Sequence, residues 1–310
     1  MIRQLRLPVL ALAAFAAACS GTQPIAAFAV IQSPAVTDPT QNPPKVIPTI
    51  VSVAVGIGNV KLDTANPANF DKGSYSGITG LTGVVEFNDA TGKAQKVSLK
   101  DLGNGAYGVL NSGGKAPQTQ DPKVPEDPNL TFVPGTPYKI TLTAADGTAY
   151  VGTVTPKPQT KIKELEDGAT GVTTVPGTGD ASASGHINQM DWKVGADFTV
   201  TRDPTTDDLA FVAVSKVNMD DPTNKDNLTW ANLHTQDQTA LIGELVRIAA
   251  RQDSDWKKPS YTAPGATAFP AAGAYGVALS VLTKGNVSSN LAIGSMAVGA
   301  TGYGAILNVK

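Results

Sequence analysis

The chain has 310 residues, with 24 Lys and Arg against 26 Asp and Glu, a net charge of −2, one Cys and two His. One thiol and two imidazoles cannot build a disulfide framework or a zinc cage, and the balanced charge lacks the basic excess of a nucleic-acid binder. With 31 Gly, 22 Pro and only 16% charged residues, the chain is rich in turns and poor in helix, and long enough for about two domains.

Arg3 and Arg6 precede an apolar run from Leu7 to Ala18, which ends in Ala16-Ala17-Ala18-Cys19-Ser20. That run falls short of the roughly 20 residues that span a bilayer and has the length of a secretory signal core. With the sole cysteine standing directly after small residues, the segment resembles the lipobox of bacterial lipoproteins. The resemblance implies that residues 1–18 are removed as a signal peptide and that Cys19 becomes the lipidated first residue, held on a membrane by several acyl chains. An ordinary secretory signal with an incidental cysteine is the alternative. Residues 19–48 carry six prolines and, as charges, only Asp38 and Lys45, which predicts an extended tether. Inside it, the apolar stretch Ile25 to Ile31 is suited to adding an edge strand.

From Thr49 the pattern changes to short alternating segments punctuated by Gly, Asn and Asp, the signature of strands and tight turns. Ile50 to Val55 opens the series. Val84 to Phe87 turns through Asn88-Asp89-Ala90-Thr91-Gly92 into Val97-Ser98-Leu99, and Gly103-Asn104-Gly105 turns again before Tyr107. Tyr138 to Thr143 turns through Asp146-Gly147 into Ala149 to Val154, with Tyr138, Ile140 and Leu142 on one face and Lys139, Thr141 and Thr143 on the other. These strand and turn positions, from Val85 to Pro158, resemble the immunoglobulin-like N-terminal domains of bacterial surface lipoproteins. The resemblance implies a β-sandwich over 49–158 and a surface location, and it brings no catalytic residue.

Residues 159–185 read as a Gly/Thr/Ser-rich linker. Beyond it lie Ile187 to Trp192, Phe198 to Thr201, the doubly apolar Leu209 to Val214, and the alternating runs Tyr275 to Val281 and Tyr303 to Val309. An early tryptophan, a late Gly-x-Tyr-x-Val strand and a closing strand resemble a fibronectin type III domain over 186–310. An insertion sets it apart from that family. It holds the one helix expected, near 235–252, where Thr235 and Gln238 suit a capping box and Leu241, Leu245, Ile248 and Ala249 share a face. Packing of that face on its own domain is preferred to partner recognition. The stretch after it, with Trp256, Tyr261 and Phe269 among lysines and prolines, is the expected recognition loop.

Chemistry is sparse. His186 and His234 are the only imidazoles, and Gly73-Ser74-Tyr75-Ser76-Gly77 puts Tyr where a nucleophilic serine would stand. Gly56-Ile57-Gly58 follows a strand without opening a helix, which argues against a phosphate cradle. Asp220, Asp221, Asn224 and Asp226 offer oxygens that would suit calcium, although the EF-hand pattern is absent and a solvated turn explains the same residues.

The sequence therefore predicts an all-β protein of two antiparallel β-sandwiches, immunoglobulin-like and fibronectin type III-like, with one short helix inserted in the second. The predicted role is that of a lipid-anchored bacterial cell-envelope protein that binds a protein partner or serves as a structural accessory, with no catalysis, no cofactor and no nucleic-acid partner. Its rivals are a hydrolase of envelope polymers or glycans working through loop carboxylates, and a calcium-stabilised adhesin module.

Overall fold

The computed structural model describes residues 23–32, 49–58, 75–111, 124–158, 161–168, 172–174, 189–203, 208–217, 227–232, 254–292 and 295–310. The N-terminal strands are β1 (Ile25–Gln32), β2 (Thr49–Gly58), β3 (Tyr75–Gly77), β4 (Thr82–Asn88), β5 (Ala94–Gly103) and β6 (Ala106–Asn111). The middle of the chain supplies β7 (Tyr138–Thr143), β8 (Ala149–Val154), β9 (Lys161–Asp167), β10 (Val172–Thr174), β11 (Gln189–Trp192) and β12 (Phe198–Asp203). The last third supplies β13 (Leu209–Lys216), β14 (Leu228–Ala231), β15 (Ser260–Ala263), β16 (Gly273–Lys284), β17 (Asn286–Val287) and β18 (Met296–Val309), with a single-turn helix at Gly265–Ala268.

The protein is all-β. Its larger sheet runs β14-β13-β16-β18-β1-β2-β6-β5-β4-β7-β8-β17, and a smaller one runs β10-β9-β12-β15. The large sheet folds on itself at β5. Residues 94–99 of that strand pair with β4, whereas Lys100 to Gly103 pair with β6 across a register irregularity. Bending a strand at such a break lets one ribbon form both layers of a sandwich. The enclosed core joins Phe28 and Val30 of β1, Val51, Val53 and Val55 of β2, Val85 and Phe87 of β4, and Tyr138, Ile140 and Leu142 of β7. The small sheet closes a second core, in which Leu165, Phe198 and Val200 meet Val212, Val277, Leu279 and Leu307.

One strand belongs to both cores. β18 buries Ala297 in the first and Ala305, Leu307 and Val309 in the second, while β16 pairs along nearly its whole length. Two of its pairings are parallel, with β1 and with β11, in a body otherwise antiparallel in its strand pairs among the described residues.

The expectation of a tether over residues 19–48 is corrected for Ile25–Gln32. That segment is no edge strand. β1 lies between β18 and β2, hydrogen-bonded on both sides, and all eight of its residues are buried. It packs so closely on the opposite layer that a Cβ on Gly152 would stand 2.3 Å from Cγ of Phe28, which is why that position of β8 is glycine. The linker expected over 159–185 is likewise corrected, since it contains β9 and β10. The helix expected near 235–252 lies outside the described residues.

The hairpins follow their local sequence. At the β5–β6 turn, Gly103, Asn104 and Gly105 all have positive φ, and a Cβ on Gly105 would sit 2.0 Å from the Val55 carbonyl oxygen, so only glycine fits. Tyr138 closes the first core by donating its hydroxyl to the Thr131 carbonyl and accepting the Val133 N–H. Burial pushes its phenol up to about 12, and burial likewise raises Tyr261 to about 12. An unfolded phenol ionises near pH 10. Stability from these two groups is therefore present below about pH 10 and is lost as pH rises from about 10 to 12. In a tyrosinate absorbance titration, at least the phenols of Tyr138 and Tyr261 should appear only together with unfolding in that window. Ionisation of every phenol near pH 10 with the circular dichroism unchanged would contradict this.

Candidate functional site

The sequence-derived site residues fare differently. Cys19, Asp220, Asp221, Asn224 and Asp226 lie outside the described residues. Trp256, Tyr261 and Phe269 do not form an exposed recognition loop: all three are buried, Trp256 and Phe269 completely. Trp256 ends a short 3-10 turn and packs beside the Phe211 ring at 6.3 Å. Tyr261 lies in β15, and the Phe269 ring lies among Phe198 at 4.9 Å, Tyr275 at 5.3 Å and Trp192 at 6.3 Å. The segment is held down by Arg202 of β12, itself 1% exposed. Its guanidinium donates to the carbonyls of Lys258, Asp208 and Lys257 at 3.0, 3.1 and 3.2 Å. Lysines and prolines around Trp256 thus mark a loop stapled to the body, with its aromatics turned inward.

That staple shapes one cleft, of about 320 Å³, lined by Lys157, Asp208, Leu209, Lys257, Leu282 and Lys284 among others. Lys157 follows β8, Asp208 directly precedes β13, Lys257 rides on the stapled segment and Lys284 ends β16. Nζ of Lys157 meets the Asp208 carboxylate at 2.7 Å. The lining thus holds three lysines and one acid, with Lys157 paired to that acid. A single carboxylate does not provide the acid and base of a glycosidase, and no imidazole or cysteine joins it in the lining. No signal in the sequence connects these residues, which are far apart along the chain.

The shifted carboxylates of the described residues serve turns and strand ends. The Thr91 hydroxyl, then the Gln95 amide, holds Asp89 down to about 2. Burial pushes Asp101 up, but the N–H groups of Gly80 and Gly103 and the Tyr107 hydroxyl outweigh it and leave it low. The Thr148 N–H lowers Asp146, and the Lys310 ammonium lowers Asp191. Each effect stabilises the charged form, the reverse of a carboxyl kept protonated to act as an acid. Among the described residues no three His, Cys, Asp or Glu are grouped to hold a metal, and no helix is long and apolar enough to cross a membrane.

No family model matches the chain, and no curated protein matches it significantly. Among solved structures, one from a 1.5-MDa bacterial ice-binding adhesin, described in connection with host cell surface retention, aligns at 8% identity and a TM-score of 0.20. That alignment covers 94% of this chain and 67% of that one. A tetra-tandem repeat from the extending region of a large adhesion protein aligns at 11% identity, also with a TM-score of 0.20, over 90% of this chain and 50% of its own. A TM-score of 0.20 is too low to establish a shared fold.

Proposed function

We propose that the chain is a lipid-anchored protein of the bacterial cell envelope that acts by binding a partner or as a structural accessory, without catalysis of its own. The observation that carries this reading is the N-terminal pattern: Arg3 and Arg6, the apolar run Leu7 to Ala18, and Cys19 directly after three alanines. Several acyl chains on that cysteine would hold the protein durably, where a single chain would not. The non-catalytic half is supported by Asp89, Asp146 and Asp191, whose shifts run towards the charged form, and by a cleft whose lining holds a single acid, paired with Lys157.

The test is Cys19→Ala. The variant should leave the membrane fraction and appear in the soluble one, with thermal unfolding of the body unchanged. Retention of the variant on membranes would overturn the anchor.

A further inference from the structure

Where the chain first joins the body decides how an anchored protein must stand. The Pro24 carbonyl accepts the Ala292 N–H at 2.8 Å, and the Ala26 N–H donates to Oγ of Ser295 at 3.1 Å. The chain is thus fixed to the sheet at Pro24 and Ala26. Five residue steps separate Cys19 from Pro24 and span at most about 18 Å. A body tied that closely cannot be held away by a tether; one end of its sheet must rest near the lipid.

That end is identifiable by register. Ile25 lies opposite Gly56, so the next residue of β2, Ile57, is level with Pro24 on the neighbouring strand, about 5 Å away. Ile57 is 48% exposed, and among the described residues only Val194, at 37%, joins it as an exposed large hydrophobic. On its other side Ile57 pairs with Ser76 of β3, and Gly77 packs against Asn104 of the β5–β6 turn. Pro24, Ile57, Ser76 and Asn104 carry no charge, in a chain that is acidic overall. The Asp101 carboxylate behind this rim is engaged by the Gly80 and Gly103 N–H groups and the Tyr107 hydroxyl. An isoleucine protruding beside the start of β1 suits the boundary between headgroups and acyl chains.

Val194 sits at the opposite extreme. Its N–H donates to the Lys310 carbonyl, just past the far end of β18, while β1 lies beside the start of that strand. The 14 residues of β18 put the two ends roughly 45 Å apart. We infer that the sheet end formed by the start of β1 and Ile57 is a membrane-contact surface that seats on the phospholipid bilayer, with the Val194 end directed away from it. The inference rests on the anchor at Cys19.

Because acylation consumes the Cys19 thiol, Ile57→Cys and Val194→Cys each give the lipidated protein one reactive thiol. Each variant, isolated from membranes, labelled with an environment-sensitive fluorophore and placed in phosphatidylethanolamine–phosphatidylglycerol vesicles, is read for quenching by nitroxide-labelled phospholipid. The expected result is a blue shift and quenching at position 57, and neither at 194. Equal quenching at both sites, or at neither while the protein still floats with the vesicles, overturns the seating and leaves the anchor standing. Failure to float, with label also taken up by Cys19, overturns both.

Discussion

Deletion of residues 25–32 is expected to leave a chain that does not fold cooperatively. Among the described residues β1 alone joins β18 to β2 in the large sheet, so its loss leaves Met296 to Ala300 of β18 and Thr49 to Gly56 of β2 without a strand on that side. Its buried Ile25, Phe28, Val30 and Ile31 together contribute roughly 6–12 kcal/mol by transfer of their side chains from water. That is comparable to the whole stability of a typical domain, about 5–15 kcal/mol. Even Phe28→Ala, which empties the contact with Gly152, should cost about 3–5 kcal/mol. Urea titration of the chain without its lipid reads both effects. A deleted chain with an unchanged transition would mean that this segment is a tether after all. A peptide of residues 23–32 added in trans should restore part of the transition by strand addition.

Arg202→Ala is expected to cost at least about 3 kcal/mol, because it orphans three carbonyls that a charged donor had satisfied, each left unpaired at a cost of roughly 1–3 kcal/mol. The loss has a location. Lys257 and Lys258 carry the segment that covers Trp256, so the tryptophan emission of the variant should shift red before global unfolding. Arg202→Lys should recover less than half of the loss, since an ammonium cannot reproduce a planar fork aimed at three carbonyls. A change below about 1 kcal/mol for Arg202→Ala would show that the staple is dispensable.

The sequence is most legible where structure is local. β7 and β8 were readable because Tyr138, Ile140 and Leu142 alternate with polar residues across an Asp146-Gly147 turn, and burial follows that alternation. β13 reads as a strand apolar on both faces; Ala210, Val212 and Val214 of one face are buried, while Phe211 and Ala213 of the other are half-buried. The role of β1 was hidden because its partner Met296 lies opposite Ala27 from the far end of the chain, and no local pattern encodes that pairing. β9 was hidden for another reason. Its buried residues, Ile162 and Leu165, are three apart, which breaks strand alternation. A bulge opposite Thr201 and Arg202 turns both inward.

The candidate sites divide in the same way. The signal at Cys19 is a contiguous motif and could be read directly. The lysine and proline neighbours of Trp256, Tyr261 and Phe269 point to the surface, whereas Arg202, more than fifty residues earlier, draws that segment onto the core. The lysine cleft and the Ile57 rim exist only after strands distant in sequence are brought side by side.

The most direct test of the whole account is the intact mass of the protein extracted from its membranes. The expected species begins at Cys19 and is heavier than its polypeptide by the mass of its acyl chains. A chain that begins elsewhere, or at a Cys19 of unmodified mass, would contradict it.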